Sequence, residues 1–432
     1  MKETLRRLFL ETLEALALDR VIPEKVRVRE GALEAGEERI ELAPFKKIVL
    51  VAIGKAAYPM ARAVQALLEP KIASGVVVSP EPVAEPLRYM LHFQGGHPYP
   101  TEESVHAAEV ILEVLRQLNQ NHLVIYLLSG GGSAIVEKPI HPSIPLADLR
   151  EFYRVLVNCG ANIVEMNTLR KHFSATKGGR MAEAAHPARQ LTLYVSDVPA
   201  DRPSTVASGP TMPDESTWEE CRQILERRKL RECLPASYRE LLDAGTLPET
   251  PKPGGAKFKR AGWHALLSTE QGLEKLAAAA RAQGWVVDRD MSVDDWPLAE
   301  AVDHLLGRLR ALREQNPGRT AALLTGGELS CPVTGEGVGG RNQAFALACA
   351  ERIAGQNVAV LSAGTDGIDG NSPAAGAVAD GQTCGRAARL GIDPQDYQRR
   401  SDSYRFFEAL DDAVVTGPTG NNIRDLRALA AW

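Results

Sequence analysis

The sequence predicts an α/β protein in two parts: a parallel sheet covered by helices on both faces, then a sheet of mixed direction. Three observations lead there. Short, continuously apolar runs such as "KIVLVAI", "LVIYLL" and "LTLYV" alternate with segments of helical period. Each run stops in glycines or small polar residues, at Gly54–Lys55, Ser129–Ser133 and Ser196–Asp197. Past the Pro-, Gly- and Lys-rich stretch "LPETPKPGGAKFKR" (Leu247–Arg260) the alternation resumes, and "TAALLTGGELSCPVT" reads as two strands joined by a tight turn. The expected parts are therefore residues 1–246 and 247–432.

The elements follow in order. "MKETLRRLFLETLEALALDR" spaces its leucines as an amphipathic helix and interrupts them with charges. A strand through Ile53 turns at Gly54–Lys55 into a helix with Pro59 in its first turn, where a missing N–H matters little. Gly75–Ser79 is a short strand, and Thr101 precedes acids that suit a helix start. "LVIYLL" opens into "SGGGSA"; a helix spans roughly Pro145–Cys159 and is closed by Gly160. "VEMNTLRKHFSAT" carries another helix and "LTLYVSD" another strand. Beyond 247, strands are expected at "GWHALLS", "GWVVD", "TAALLTGG", "LSCPVT", "NVAVLSAGT" and "DAVVTGP", and "TGPTGNN" (Thr416–Asn422) as a strand-to-helix turn.

Composition narrows the function. With 432 residues, 44% hydrophobic and 24% charged, the chain is globular and long enough for two or three cores. A net charge of −5 without a basic stripe argues against nucleic acid. Six scattered cysteines without a CxxC pair suit reduced thiols. No signal peptide and no run of roughly 18–20 apolar residues is seen. A cytoplasmic protein without membrane partners is expected, and a homo-oligomer is compatible with the sequence.

Six loops could carry chemistry. Ser129, Gly130, Gly131, Gly132 and Ser133 either make a tight turn or expose amides that cradle an anion. Lys55 sits at the sheet's ligand edge, as a surface charge or a phosphate partner. Arg170, Lys171, Lys177 and Arg180 are a solvated basic helix end or a wall for an acidic substrate. Asp197 opens the long irregular segment Ser196–Asp214 and suits a general base or metal ligand. Gly335, Gly337 and Gly340 match a dinucleotide fingerprint, with Asp366 as its acid, and Arg341 follows directly. Asp366, Asp369 and Asp380 suit magnesium or plain turns.

Eight ordered motifs together are more specific. "GKAAYPMA", "LLSGGGSA", "RKHFSATKGGRMA", "SDVPADRPSTVASGPTMPD", "LLTGGE", "GGRNQAFAL", "AGTDGIDG" and "TGPTGNNIRDL" resemble the glycerate 2-kinases, whose carboxyl half is the MOFRL domain. The resemblance covers nearly the whole chain. It implies a Rossmann-like three-layer domain, a second mixed α/β domain and an active-site cleft between them. It implies phosphoryl transfer from ATP to the 2-hydroxyl of D-glycerate, with Mg2+. By matching motifs it puts Lys55, Asp197 and Arg341 at catalytic positions, and the "GGRNQ" motif adds Asn342 as a substrate contact. The chain departs from the family at Arg202 and Pro373, where an acid is common, and at Ala344, where glutamate is frequent. These departures weaken the acidic metal shell, for which Asp366 and Asp369 remain the candidates. The rival readings are an NAD(P)H-dependent hydroxypyruvate reductase using the 335–340 glycines, and a non-catalytic carboxylate-binding protein.

Overall fold

The computed structural model describes residues 1–83, 85–196 and 203–432. The chain forms two compact units, Leu18–Leu266 and Met1–Ala17 with Leu267–Trp432. Among the described residues no helix is long and apolar enough to cross a membrane.

In the Leu18–Leu266 unit, β1 (Val26–Arg29), β2 (Ala32–Ala35) and β3 (Glu38–Glu41) form a small antiparallel sheet. The main sheet contains β4 (Lys47–Ile53), β5 (Ile72–Ser79), β6 (Met90–Gln94), β7 (His122–Leu128), β8 (Arg189–Val195) and β9 (Ala261–Leu267). Their spatial order is β6-β5-β4-β7-β8-β9, and the pairings from β6 through β8 are parallel. β7 is buried along its whole length and β4 everywhere but Lys47, as strands covered on both faces must be.

Helices cover this sheet for readable reasons. Glu102–Arg116 starts at a Thr101–Ser104 capping box and buries Ala107, Ala108, Ile111, Leu112 and Leu115, one stripe at helical spacing. Leu146–Asn158 follows Pro145, whose missing N–H costs nothing there. From β4 the chain moves outward to β5 and β6, then returns to the other side of β4 as β7. This reversal between β4 and β7 is a topological switch point, where open α/β sheets form their ligand crevice. Ile53 is level with Leu128 across the pair, so Gly54 and Ser129 leave the sheet side by side.

The second unit is a mixed sheet of β10 (Val286–Arg289), β11 (Ala321–Gly326), β12 (Val358–Gly364), β13 (Gly376–Asp380), β14 (Ala413–Val414) and β15 (Asp425–Ala431). Its order is β10-β11-β15-β12-β13-β14. β10 and β11 are parallel and every other pairing is antiparallel. The helix Lys2–Ala15 belongs here, with Leu5, Leu8 and Phe9 in one core cluster with Leu273, Leu276, Leu361 and Leu426.

Several expectations need correction. The change of unit falls at Leu266/Leu267 rather than 246/247, because "GWHALL" completes the first sheet as edge strand β9. "LSCPVT" contributes only a bridge from Ser330 to Pro297, not a strand. The end of the chain is not a helix: "DLRALAA" is β15, a central strand.

Candidate active site

At the switch point, Gly54 has φ +122°, and a Cβ there would lie 2.3 Å from Ser129 Oγ and 2.5 Å from the Ser129 carbonyl oxygen. Only glycine permits that approach. The turn is then laced together: the Lys55 amide donates to the Gly130 carbonyl at 2.9 Å, and the Ala56 amide donates to Ser129 Oγ at 2.9 Å. Gly131 has φ +82°, and a Cβ on it would touch the His97 ring at 3.2 Å and the Lys55 stem at 3.3 Å. Lys55 is exposed at this mouth.

The loop lies in a cationic setting. His97 is held below the usual imidazole pKa by the groups crowded around it, then by the charges of Lys55 and Arg170. Arg170 places its guanidinium 5.3 Å from the centre of the Tyr153 ring. Lys55, His97 and Arg170 thus gather around Gly130–Ser133, which suits an anion. The far side of the loop meets a backbone bend: Ala207, Ser208 and Gly209 all have positive φ, at +51°, +60° and +61°. Two non-glycine residues held there store strain of order 1–3 kcal/mol each. The Ser208 hydroxyl is 2.7 Å from that of Ser133 and donates to Asn167 Oδ1 at 2.9 Å.

Lys171 and Lys177 do something other than expected. Lys177 is buried, with Nζ 2.7 Å from Glu137 Oε2. Burial lowers its pKa, and Glu137 opposes the change. Glu137 also accepts from Tyr153 at 2.5 Å and Ser174 at 2.5 Å, and the Tyr153 hydroxyl is 2.6 Å from the Ser133 carbonyl. Lys177 therefore buttresses the glycine loop from behind and is no substrate contact. Lys171 is paired with buried Asp214 at 3.0 Å. Of the predicted cations, Lys55 and Arg170 belong to the cationic setting of the loop. Asp197 lies outside the described residues.

In the second unit Arg341 is the first residue of the helix Arg341–Arg352. Its Nε donates to Asp425 Oδ2 at 2.6 Å, and a terminal nitrogen lies 2.9 Å from Glu328 Oε1. Asp425 is buried and held below the ordinary carboxylate range, because Arg427 and Arg341 outweigh the cost of burial. Arg424 pairs with Asp294 through two bonds of 2.6 Å.

Asn342 and Asp369 are structural partners of that helix. Asp369 accepts from the amides of Asn342 at 3.1 Å and Gln343 at 2.8 Å, satisfying orphan donors of the first turn. Burial, against the pull of those amides, pushes its pKa up to about 7. The Asn342 side chain is buried, donating to Asp369 at 3.3 Å and accepting from Ser362 at 2.6 Å. Asp369 thus caps a helix instead of holding a metal, and Asn342 offers no ligand-facing group. Asp366 Oδ1 accepts the Ile368 amide at 3.1 Å, an ordinary turn. Among the described residues no three His, Cys, Asp or Glu side chains are grouped to hold a metal ion.

These two constellations can be set beside known proteins. A model described as a domain of unknown function, DUF4147, matches residues 4–243, and the MOFRL family model matches residues 321–425. A D-glycerate 2-kinase of Thermotoga maritima is 34% identical over 98% of this chain and 98% of its own. The chain belongs to the glycerate 2-kinase family. A crystal structure of glycerate kinase from Thermotoga maritima covers 100% of the chain and 99% of its own, with TM-score 0.86 and 33% identity. A relative named putative hydroxypyruvate reductase, from Agrobacterium vitis, is 37% identical over 93% of each chain.

In this glycerate 2-kinase family member, an enzyme of the kinase class, the fingerprint glycines have another task. A Cβ on Gly335 or Gly337 would come within 2.4 or 2.6 Å of the Arg400 carbonyl, and one on Gly340 within 2.2 Å of Asp369. They admit neighbouring backbone and the capping acid, so no open amide cradle remains for a pyrophosphate. β11 and β12 are also separated by antiparallel β15, so they do not form the adjacent parallel pair of a dinucleotide fold. The residues that sequence reasoning missed are His97, Asn167, Glu137 and Asp425. Ser208 had a signal in the small-residue corner "ASGP", and Asp425 in "NNIRDL".

Proposed function

We propose that this protein transfers the γ-phosphoryl group of ATP to the 2-hydroxyl of D-glycerate, giving 2-phosphoglycerate. The observation that carries the reading is the glycine loop at the switch point, with its backbone fixed and Lys55, His97 and Arg170 around it. Phosphoryl transfer needs mainly positioning and charge stabilisation, which such a cradle supplies. The 2-oxygen bonds to the γ-phosphorus as the bond to the bridging β–γ oxygen breaks, and ADP leaves. Asp197, assigned by its motif and its place after β8, accepts the hydroxyl proton. Lys55 and Arg341, assigned by their motifs, meet the substrate carboxylate and the migrating phosphoryl group, and the reaction runs in the cytoplasm.

The family likeness implies Mg2+. The described acids do not fit a dedicated site for it, since Asp369 is committed to a helix cap and Asp366 to a turn. No step is assigned to the metal. The test is incubation with ATP, Mg2+ and D-glycerate, followed by phosphorus NMR of the product. Formation of the 2-phosphate supports the proposal, and absence of any phosphoglycerate overturns it. The reductase reading, favoured by the names of two relatives, predicts NADH oxidation by hydroxypyruvate, which the occupied fingerprint glycines argue against.

A further inference from the structure

The helix Ile163–His172 serves two places at once. Arg170 belongs to the cationic setting of the glycine loop, whereas Val164, Asn167, Thr168 and Lys171 line a separate cavity of about 810 Å³. Across that cavity stand Met212, Ile224 and Trp263. Asn167 is the shared wall, because its Oδ1 accepts from Ser208, whose hydroxyl touches Ser133 of the cradle.

The chemistry of the cavity is specific. Its cations are already matched, Lys171 with Asp214 at 3.0 Å and Arg227 with Glu165 at 2.6 Å, while Glu215 and Glu220 add negative charge to the wall. A net anion gains little there, while an uncharged ligand with hydrogen-bonding edges is suited. Apolar surface is nonetheless open to it: Val164 is 43% and Trp263 36% exposed. The Trp263 indole N–H donates to the Thr211 carbonyl at 3.2 Å, which fixes the ring. Sites for drug-sized ligands occupy about 300–1,000 Å³, so this cavity far exceeds the needs of a three-carbon acid and matches a nucleoside.

We propose that this cavity takes the base and ribose of the nucleotide, with its phosphates leading past Asn167 to Ser133 and Gly130–Gly132. The assignment rests on the kinase reading above and adds where the nucleotide's uncharged half binds.

The test compares ADP with tripolyphosphate, which carries the phosphates but no base. Val164→Trp fills the cavity from an exposed position in the first helical turn, so the fold tolerates it; Trp263→Ala removes the flat apolar wall. Base stacking on an aromatic contributes roughly tenfold or more in affinity. Both variants are therefore expected to weaken ADP binding by calorimetry about tenfold or more. They should raise KM for ATP similarly and leave tripolyphosphate binding and KM for glycerate unchanged. Wild-type ADP affinity in both variants overturns the assignment while the kinase reading stands, as does a rise in KM for glycerate alone. Wild-type protein that neither binds ADP nor transfers phosphate overturns both together.

Discussion

Arg341 grips Asp425 with two nitrogens, Nε at 2.6 Å and a terminal nitrogen at 3.2 Å on the second oxygen. This fork fixes the guanidinium plane, which an ammonium could not do. On the proposed role, Arg341→Ala should lower turnover about 10³-fold or more, the contribution typical of phosphate-directed arginines. Arg341→Lys keeps the charge and should still lose most of the rate. Steady-state kinetics with ATP and glycerate check both. Wild-type turnover in the alanine variant would remove Arg341 from the mechanism.

The Glu137–Lys177 pair is fully enclosed. Glu137→Ala strands a buried ammonium and the hydroxyls of Tyr153 and Ser174, so a loss of about 3–5 kcal/mol in chemical denaturation is expected. Replacing both partners, with Glu137→Leu and Lys177→Met, should recover part of it. A single variant as stable as wild type would contradict the buttress.

Gly131→Ala tests the cradle itself. Its φ of +82° costs a Cβ about 1–2 kcal/mol, and that Cβ would crowd His97 and Lys55. Nucleotide affinity should fall while the far-UV spectrum stays unchanged. Gly54→Ala, whose Cβ would overlap the Ser129 backbone, should unfold the sheet edge.

His97 should titrate below the ordinary 6.5 of imidazole in NMR of labelled histidine. Crowding is the larger cause and Lys55 the next, so Lys55→Met should move the midpoint up part of the way. An unmoved midpoint would place Lys55 away from the loop.

Asp369 predicts a pH dependence of known sign. Its folded pKa of about 7 lies above the ordinary 3.8. Unfolding therefore releases its proton at intermediate pH, and stability falls as pH rises from about 4 to about 7. Asp369→Asn should flatten that decline, measured as the difference in denaturation midpoint between variant and wild type across the range. Asp369→Ala, which loses the cap, should cost about 1 kcal/mol more than Asn.

The parallel sheet was legible because β4 and β7 are continuous apolar runs ending in glycine, a pattern little else produces. The glycine loop announced itself by composition. β15 did not: "DLRALAA" favours a helix by intrinsic propensity, and only burial between β11 and β12, where small side chains fit, makes it a strand. β13 hid in a glycine-rich acidic stretch. Lys171 and Lys177 read as ligand contacts because their neutralising acids, Asp214 and Glu137, lie some forty residues away in sequence. Charge shows in a sequence; its partner does not. Asp369 misled in the same way, its cap depending on amides in the first turn of a helix earlier in the chain.

The helix Lys2–Ala15 is made well before the core it joins. Synthesis from the amino terminus delivers it ahead of all of Leu18–Leu266, yet the strands whose core it joins emerge only after that stretch. Until then Leu5, Leu8 and Phe9 have no native home and are exposed to chaperones or to wrong partners. A fragment cut at the tempting proline-rich segment would carry the same fault permanently, with an orphaned helix on one piece and an open groove on the other. Leu18–Leu266, by contrast, is one uninterrupted run, and is where an experimenter should cut.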